Sequence, residues 1–257
     1  MIVIGWPAAA EDRATLIEAC VAERIRTADD DTRVGDLRRA CAATLPELPA
    51  TSPVATRGAI ELSDIGKPFT LLAHRPTYLL PWSYNAKVND GRASDPDQPN
   101  GAERTEAGFQ ISFKFPIWRT ILGSDDNLYM AYTNRSFWQV YDKAASSPFR
   151  STDHEPEIFW RHMADSSLGP FRFSGFDLGI SHQSNGRSRP LSRSWNRAVG
   201  AVVLSAGNVA LGARAWLRLP EDADDDDNPD IEDYLGYGEL RLIWAPNRNT
   251  YSLRTHI

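Results

Sequence analysis

The feature that most constrains the fold is a strict alternation of apolar and polar residues over long segments. Side chains of a strand point alternately to its two faces, so a period of two predicts a β-strand with one apolar face. In residues 109–117 one face carries Phe109, Ile111, Phe113, Phe115 and Ile117, and the other carries Gln110, Ser112 and Lys114. The pattern recurs in residues 209–219, 239–244 and 251–254. The sequence predicts roughly eight or nine such strands.

Two all-β architectures share this alternation. In a soluble sandwich the polar face meets bulk water. Here the polar face carries bulky Arg, Lys and Trp, and the apolar segments reach the length of about ten residues that a tilted membrane-spanning strand needs. We therefore favour an antiparallel transmembrane β-barrel. Its mean hydropathy of -0.42 fits because polar lumen positions offset apolar lipid-facing ones.

Two other classes are excluded or disfavoured. No run of about 18 apolar residues occurs, so the sequence contains no transmembrane helix. The formal net charge of -6 argues against a nucleic-acid partner, because no basic surface outweighs the acidic groups.

The first 60 residues differ from the rest in pattern. Residues 1–10 are apolar and end in small residues, so we expect them to be the remnant of a signal peptide. Residues 11–60 are predicted to be an N-terminal periplasmic segment, helical or irregular, that ends in a proline-rich linker at residues 45–57. Residues 61–257 are then the barrel. Cys20 and Cys41 are equally compatible with one disulfide and with two free buried thiols.

An acidic run at residues 222–227 lies between two predicted strands. A calcium-binding loop is one interpretation, but the run lacks the ordered ligand spacing of such a loop. We therefore expect a solvated loop.

One segment contains residues able to perform chemistry. His182 and Ser184 are two residues apart, so in a strand they lie side by side, on the same face as Phe176, Leu178 and Ile180. His182 can then act as a base toward the Ser184 hydroxyl. If this face meets lipid, the pair is presented to lipid and not to the lumen.

A base of this kind needs a third group that fixes its orientation and tautomer. Asn196 can provide it from the next strand, after the turn signal Asn185-Gly186. An amide stabilises the imidazolium less than a carboxylate does. Taken alone, a His-x-Ser pair is more often a pair of surface residues than a catalytic pair, so the spacing leaves both interpretations open.

The wider segment resembles the outer-membrane phospholipase A family, also called detergent-resistant phospholipase A. The resemblance is carried by His182-Gln183-Ser184-Asn185-Gly186-Arg187-Ser188 and continues through Pro190 to Arg197. It covers about residues 65–257, and further similar segments follow the family's order at residues 115–119, 132–133, 146–150, 155–156, 226–231 and 234–237.

The resemblance implies a twelve-stranded antiparallel barrel in the bacterial outer membrane. It implies hydrolysis of acyl esters of phospholipids at both glycerol positions, and of lysophospholipids. Carried over residue by residue, it makes Ser184 the nucleophile, His182 the base and Asn196 the orienting group. The backbone N–H of Gly186 is then expected at the oxyanion position.

The resemblance also implies that the enzyme needs calcium and is active as a homodimer. The calcium ligands are expected to be the backbone carbonyl of Arg187, the hydroxyl of Ser192 and Ser146 of the partner subunit. Oxygen ligands suit this hard cation. Bound calcium is expected to polarise a water at the oxyanion position. Trp195 is expected to be an anchor at the membrane interface.

The chain departs from the family pattern at two places. Asn134 stands where the family usually has Gln, in a strand that contributes to the dimer interface, and its side chain is one methylene shorter. The residues after Asn196 are too few for the family's remaining strands, and the chain ends at Ile257, not on an aromatic residue. We therefore expect a C-terminally truncated fragment or frameshifted product.

Two alternatives remain from the sequence. The first is a non-catalytic outer-membrane barrel or an inactive truncated relative; the intact set His182, Ser184 and Asn196 argues against it, and the expected truncation argues for it. The second is a soluble lipid-binding β-protein, which would stay in the aqueous phase without detergent.

Overall fold

The computed structural model describes a defined part of the chain. The described residues are 3–4, 13–26, 32–44, 57–58, 60–61, 64–65, 67, 70–86, 101–123, 126–144, 146–222, 224, 226–246 and 249–257. The predicted signal-peptide remnant and the predicted linker lie almost entirely outside them. The boundary predicted near residue 60 therefore stays a prediction.

The described chain is dominated by one antiparallel sheet of eleven strands. They are β1 (Val3–Ile4), β2 (Leu72–Ala73), β3 (Tyr78–Tyr84), β4 (Thr105–Arg119), β5 (Asp126–Trp138), β6 (Phe149–Leu168), β7 (Phe171–Ser184), β8 (Ser194–Ala206), β9 (Val209–Leu219), β10 (Gly238–Trp244) and β11 (Tyr251–His256). From β4 to β11 each strand pairs with the next in the chain; β2 and β3 pair with β4, and β1 pairs with β11. This meander confirms the predicted all-β antiparallel fold, and nine strands exceed two residues.

Helices α1 (Arg13–Ile25), α2 (Val34–Thr44) and α3 (Ile231–Leu235) accompany the sheet, and the described residues 57–58, 60–61 and 64 are also helical. A disulfide joins Cys20 of α1 to Cys41 of α2. Of the two interpretations that the sequence left open for these cysteines, the structure has the disulfide. Among the helices that the structure describes, none is long and apolar enough to cross a membrane.

Burial along the strands is inverted relative to a water-soluble protein. In β4 the polar side chains of Gln110 and Lys114 are 2% and 0% exposed, whereas Ile111 on the opposite face is 50% exposed. In β9 Trp216 is buried and Leu217 is 72% exposed. An apolar outer belt around a polar interior is the arrangement that lipid requires of a barrel sheet. The two faces predicted from the alternation are confirmed.

The polar interior is held together by ion pairs between strands. Glu155 of β6 accepts two hydrogen bonds from Arg75, each 2.8 Å long, and one of 2.6 Å from Arg197 of β8. The Ser181 hydroxyl of β7 donates to the same carboxylate over 3.0 Å. Each charge is therefore paired where it is removed from water, as a buried charge must be.

The N-terminal part of the chain reaches this interior through Glu61. Its carboxylate accepts hydrogen bonds from Lys114 over 2.6 Å, from Tyr129 over 3.0 Å and from Arg161 over 3.1 Å. Burial raises the pKa of the Glu61 carboxyl, but the charges of Lys114 and Arg161 outweigh this effect and lower the pKa to about 2. Glu61 thus anchors the chain before β2 to the inner face of β4, β5 and β6.

The interior also corrects one expectation. Trp195 is fully buried in a cluster with Val199, Trp216 and Ile231, and its indole N–H donates to Gln183 over 3.2 Å. It lies on the inner face of β8, because its neighbour Asn196 takes the outer face. The expectation that Trp195 is an interfacial anchor is wrong.

Candidate active site

The register of β7 and β8 brings His182 opposite Asn196. The two side chains meet on the outer face, with His182 Nδ1 2.9 Å from Asn196 Oδ1. Asn196 Nδ2 donates to Glu221 Oε1 over 2.7 Å. Since a carboxylate only accepts, this bond turns the amide so that its oxygen faces the imidazole. Nδ1 of His182 then carries the hydrogen, and Nε2 keeps its lone pair for a proton.

Ser184 lies on the same outer face, two residues along β7 from His182. Leu178 and Ile180, which continue this face, are 50% and 56% exposed. Among the hydrogen bonds of the described residues none joins His182 to Ser184. Catalytic hydrogen bonds are often long without substrate and tighten when it binds. The predicted presentation of the pair on the apolar outer surface is confirmed.

The loop after β7, residues 185–193, is shaped by the side chain of Asn185. Its Oδ1 accepts from the backbone N–H of Arg187 over 3.3 Å and of Arg193 over 2.9 Å, and its Nδ2 donates to the Leu191 carbonyl over 2.8 Å. Gly186 has a φ of 67°, in the left-handed region that favours glycine. The turn therefore places the Gly186 and Arg187 backbone directly after the Ser184 strand end.

Ser192 in this loop contacts the acidic run. Its hydroxyl donates to Asp227, whose other oxygen accepts from Arg189 Nε over 2.5 Å. Asn228 Nδ2 donates to the Ser192 carbonyl over 3.1 Å. The hydrogen bond from Ser192, with that from Arg189, lowers the pKa of the Asp227 carboxyl.

The acidic run is therefore solvated in part: Asp222 and Asp224 are exposed, as expected, whereas its end is bound to neighbouring segments. Asp227 is bound to the loop at residues 185–193, and Asp226 pairs with Arg218 of β9 over 2.6 Å. Two basic side chains and a hydroxyl attract these carboxylates, which sequence spacing does not show.

The structure brings some of the predicted calcium ligands together. Arg187 and Ser192 share one loop, whereas Ser146 is exposed in the connection between β5 and β6 and has a φ of 61°. In the described part of the chain no group of three or more His, Cys, Asp or Glu residues could hold a metal ion. The predicted donors are instead a hydroxyl and a carbonyl, and the Asp227 carboxylate touches that hydroxyl. Oxygen donors of this kind fit calcium.

Sequence reasoning missed three residues at the site. Glu221 and Asp227 lie beyond β9 and reach back to β8 and its preceding loop. Asp227 belongs to the family-like segment at residues 226–231, but only the fold shows the contacts of either residue. His154 of β6 lies opposite Ser184 in the register. Its one sequence signal is a position next to Glu155-Pro156, a segment similar to the family.

The arrangement has a counterpart in known proteins. The sequence profile described as Phospholipase A1 matches residues 54–256 of the chain. The chain belongs to the phospholipase A1 family. Phospholipase A1 of Proteus vulgaris is 37% identical over 191 residues, which is 73% of this chain and 65% of that relative. The chain thus spans less than two thirds of the length of this relative.

Solved structures agree with this membership. Outer membrane phospholipase A from Escherichia coli superposes with a TM-score of 0.70 at 33% identity, covering 77% of this chain and 76% of that one. The outer membrane phospholipase of Salmonella typhi, a dimer with bound calcium, gives a TM-score of 0.69 at 34% identity and covers 77% and 76%. This phospholipase A1 family member is accordingly a protein of the bacterial outer membrane, as its apolar belt requires.

Proposed function

We propose that the chain hydrolyses acyl ester bonds of membrane phospholipids, with Ser184 as nucleophile, His182 as base and Asn196 as orienting group. The observation that carries the proposal is the 2.9 Å contact between His182 Nδ1 and Asn196 Oδ1, formed beside Ser184 on the lipid-facing surface. A nucleophile in this position meets the ester groups of lipids without extracting them from the membrane.

The residues divide the reaction into two acyl-transfer steps. Ser184 Oγ bonds to the ester carbonyl carbon, its proton passes to His182 Nε2, and the carbonyl electron pair moves to the oxygen. On collapse the bond to the glycerol oxygen breaks, and His182 returns the proton to this leaving group. A water then attacks the acyl-serine with His182 again as base, which releases the fatty acid and restores Ser184.

The oxygen that becomes negative needs hydrogen-bond donors or a cation beside it. We propose that the backbone N–H of Gly186, in the turn that follows Ser184, donates a hydrogen bond to this oxygen. Arg187 through its carbonyl and Ser192 through its hydroxyl would hold calcium, together with Ser146 of the partner subunit. When bound there, calcium would supply positive charge beside the oxyanion.

Dimerisation is part of the same proposal, because one of the three proposed calcium ligands, Ser146, comes from the partner subunit. The Salmonella typhi relative is a dimer with bound calcium, which supports it. The family resemblance extends the proposed substrates to both ester positions and to lysophospholipids.

The test measures fatty-acid release from phospholipid in detergent micelles, with calcium or with chelator. Ser184→Ala is compared with Ser188→Ala, an exposed serine of the same loop. We expect Ser184→Ala to lose several orders of magnitude of rate and Ser188→Ala to match the wild type. Equal release by Ser184→Ala and wild type would sink the mechanism, and release by both at the level of a protein-free blank would favour a non-catalytic barrel. Full activity in chelator would sink only the calcium assignment.

A further inference from the structure

A second histidine lies at the proposed nucleophile. The register of β6 and β7 pairs His154 directly with Ser184, so both side chains are on the outer face of neighbouring strands. Directly opposed residues of an antiparallel pair have Cβ atoms about 5 Å apart, within reach of a shared ligand. Ser184 is therefore flanked by His154 on β6 and by Ser194 on β8.

The ring of His154 points toward the Gly186 turn. A Cβ atom placed on Gly186 would lie 3.7 Å from His154 Cδ2 and 3.8 Å from His154 Nε2. The Nε2 edge of the ring thus faces the same space as the glycine backbone. That space is where the ester oxygen has to lie if Ser184 attacks and Gly186 donates.

The other ring nitrogen is engaged by two neighbours on β5. Tyr132 Oη lies 2.6 Å from His154 Nδ1, and Asn134 Nδ2 lies 3.5 Å from it. The Ser136 hydroxyl donates to Asn134 Oδ1 over 3.2 Å, which turns the Asn134 amide nitrogen toward the ring. An amide N–H₂ only donates, so this contact requires Nδ1 to accept. A neutral imidazole that accepts at Nδ1 carries its hydrogen on Nε2.

We propose that His154 is a further catalytic residue, whose Nε2–H donates a hydrogen bond to the ester oxygen as Ser184 attacks. The proposal rests on the proposed phospholipase function and deepens it. The donor is preorganised, because Tyr132 and Asn134 hold the tautomer before substrate arrives. Donors that are fixed in advance stabilise a developing charge without reorganisation.

The same contacts explain the departure at Asn134. The shorter amide lies in contact with His154 inside its own chain. In this protein the position therefore has a partner beside the nucleophile, and Tyr132 and Asn134 act as positioning residues for the ring.

The test compares His154→Phe with the wild type in the phospholipid micelle assay. Phe keeps an aromatic ring beside Tyr132 and removes both nitrogens. We expect kcat to fall about 10- to 100-fold with KM changed less than about twofold, since only a transition-state contact is lost. His154→Gln, which restores an N–H donor, should recover part of the lost kcat. Tyr132→Phe should lower kcat less than His154→Phe does. His162→Phe, a histidine farther along the outer face of β6, is the control that should match the wild type.

A binding measurement separates catalysis from structure. A long-chain alkyl boronic acid, which forms a tetrahedral anionic adduct with an active serine, is compared with a non-hydrolysable ether phospholipid. We expect His154→Phe to weaken the binding of the boronic acid by about the same factor by which it lowers kcat. The affinity for the ether lipid should stay unchanged. If His154→Phe keeps the wild-type kcat, or if it weakens the binding of both ligands equally, the proposed role of His154 is overturned. The proposed phospholipase function would still stand in that case. A wild type that neither hydrolyses phospholipid nor binds the boronic acid would overturn the proposed function and His154 with it.

Discussion

The outer and inner faces of the same three strands, β6, β7 and β8, are built by opposite rules. Inside, Glu155 and Arg197 are buried, and each makes three or more hydrogen bonds with side chains from other segments of the chain. Outside, His182 is exposed, and its described side-chain contact is with Asn196 alone. In the proposed function, alternate residues of one strand therefore serve stability and chemistry separately. Mutations on the two faces should give opposite phenotypes.

The largest expected effect is on the outer face. His182→Ala should lower kcat by about 10,000-fold, because the proton of Ser184 loses its acceptor. The free energy of unfolding should stay within about 0.5 kcal/mol of the wild type, as for other exposed substitutions. Fatty-acid release and urea unfolding in detergent measure the two quantities. The control is His162→Ala on the same outer surface, and an equal fall in kcat there would contradict a specific role for His182.

The corresponding change on the inner face is Glu155→Ala. It leaves Arg197 buried without its carboxylate partner and leaves Arg75 paired with Glu157 alone, so we expect a loss of about 3 to 5 kcal/mol in the free energy of unfolding. The matched control is Asp165→Ala, which removes an ion pair with Arg172 that is more than half exposed; it should cost less than about 1 kcal/mol. Urea unfolding measures both losses. If the two variants lose a similar free energy of unfolding, burial does not determine how much these ion pairs stabilise the protein.

Glu61 extends the inner-face comparison to pH. Its folded pKa of about 2 lies below the ordinary value of 4.5. Its contribution is therefore present above pH 4.5, falls as the pH is lowered, and is lost near pH 2. We expect it to reach about 3 kcal/mol at neutral pH. Unfolding of wild type and Glu61→Gln between pH 5 and 2 measures this; a stability difference that stays constant over the range would contradict the assignment.

The smallest expected effect is at Glu221, behind the outer-face site. Glu221→Ala removes the acceptor that turns the Asn196 amide, so we expect kcat to fall about fivefold, the equivalent of one hydrogen bond. Glu221→Gln keeps an oxygen acceptor and should restore most of the rate. An unchanged kcat in Glu221→Ala would mean that β8 orients Asn196 without help.

The faces of the strands could be predicted from the sequence because alternation is a local property. It placed Ile111 outside and Lys114 inside, and it put His182 and Ser184 on one surface. Trp195 was misplaced because an aromatic preference for the membrane interface was applied without regard to its neighbour Asn196. The alternation of β8 decides the matter, since the two residues cannot share a face.

The missing parts of the site depend on contacts between distant segments. Glu221 reaches Asn196 from beyond β9, and Glu61 reaches Lys114 across 53 residues of sequence. His154 faces Ser184 only because β6 and β7 pair in one particular register. A period of two fixes which face a residue takes, but it does not fix which residue lies opposite.

The central claim is that Ser184 on the lipid-facing surface is an activated nucleophile. The most direct measurement is covalent labelling with a long-chain fluorophosphonate in detergent with calcium, followed by mass spectrometry of the modified peptide. We predict one phosphonate on Ser184 in the wild type, much slower labelling of Ser184 in His182→Ala, and no labelling at this position in Ser184→Ala. Labelling of Ser194 or Ser188 in its place, or a wild type whose Ser184 reacts no faster than in His182→Ala, would contradict the account.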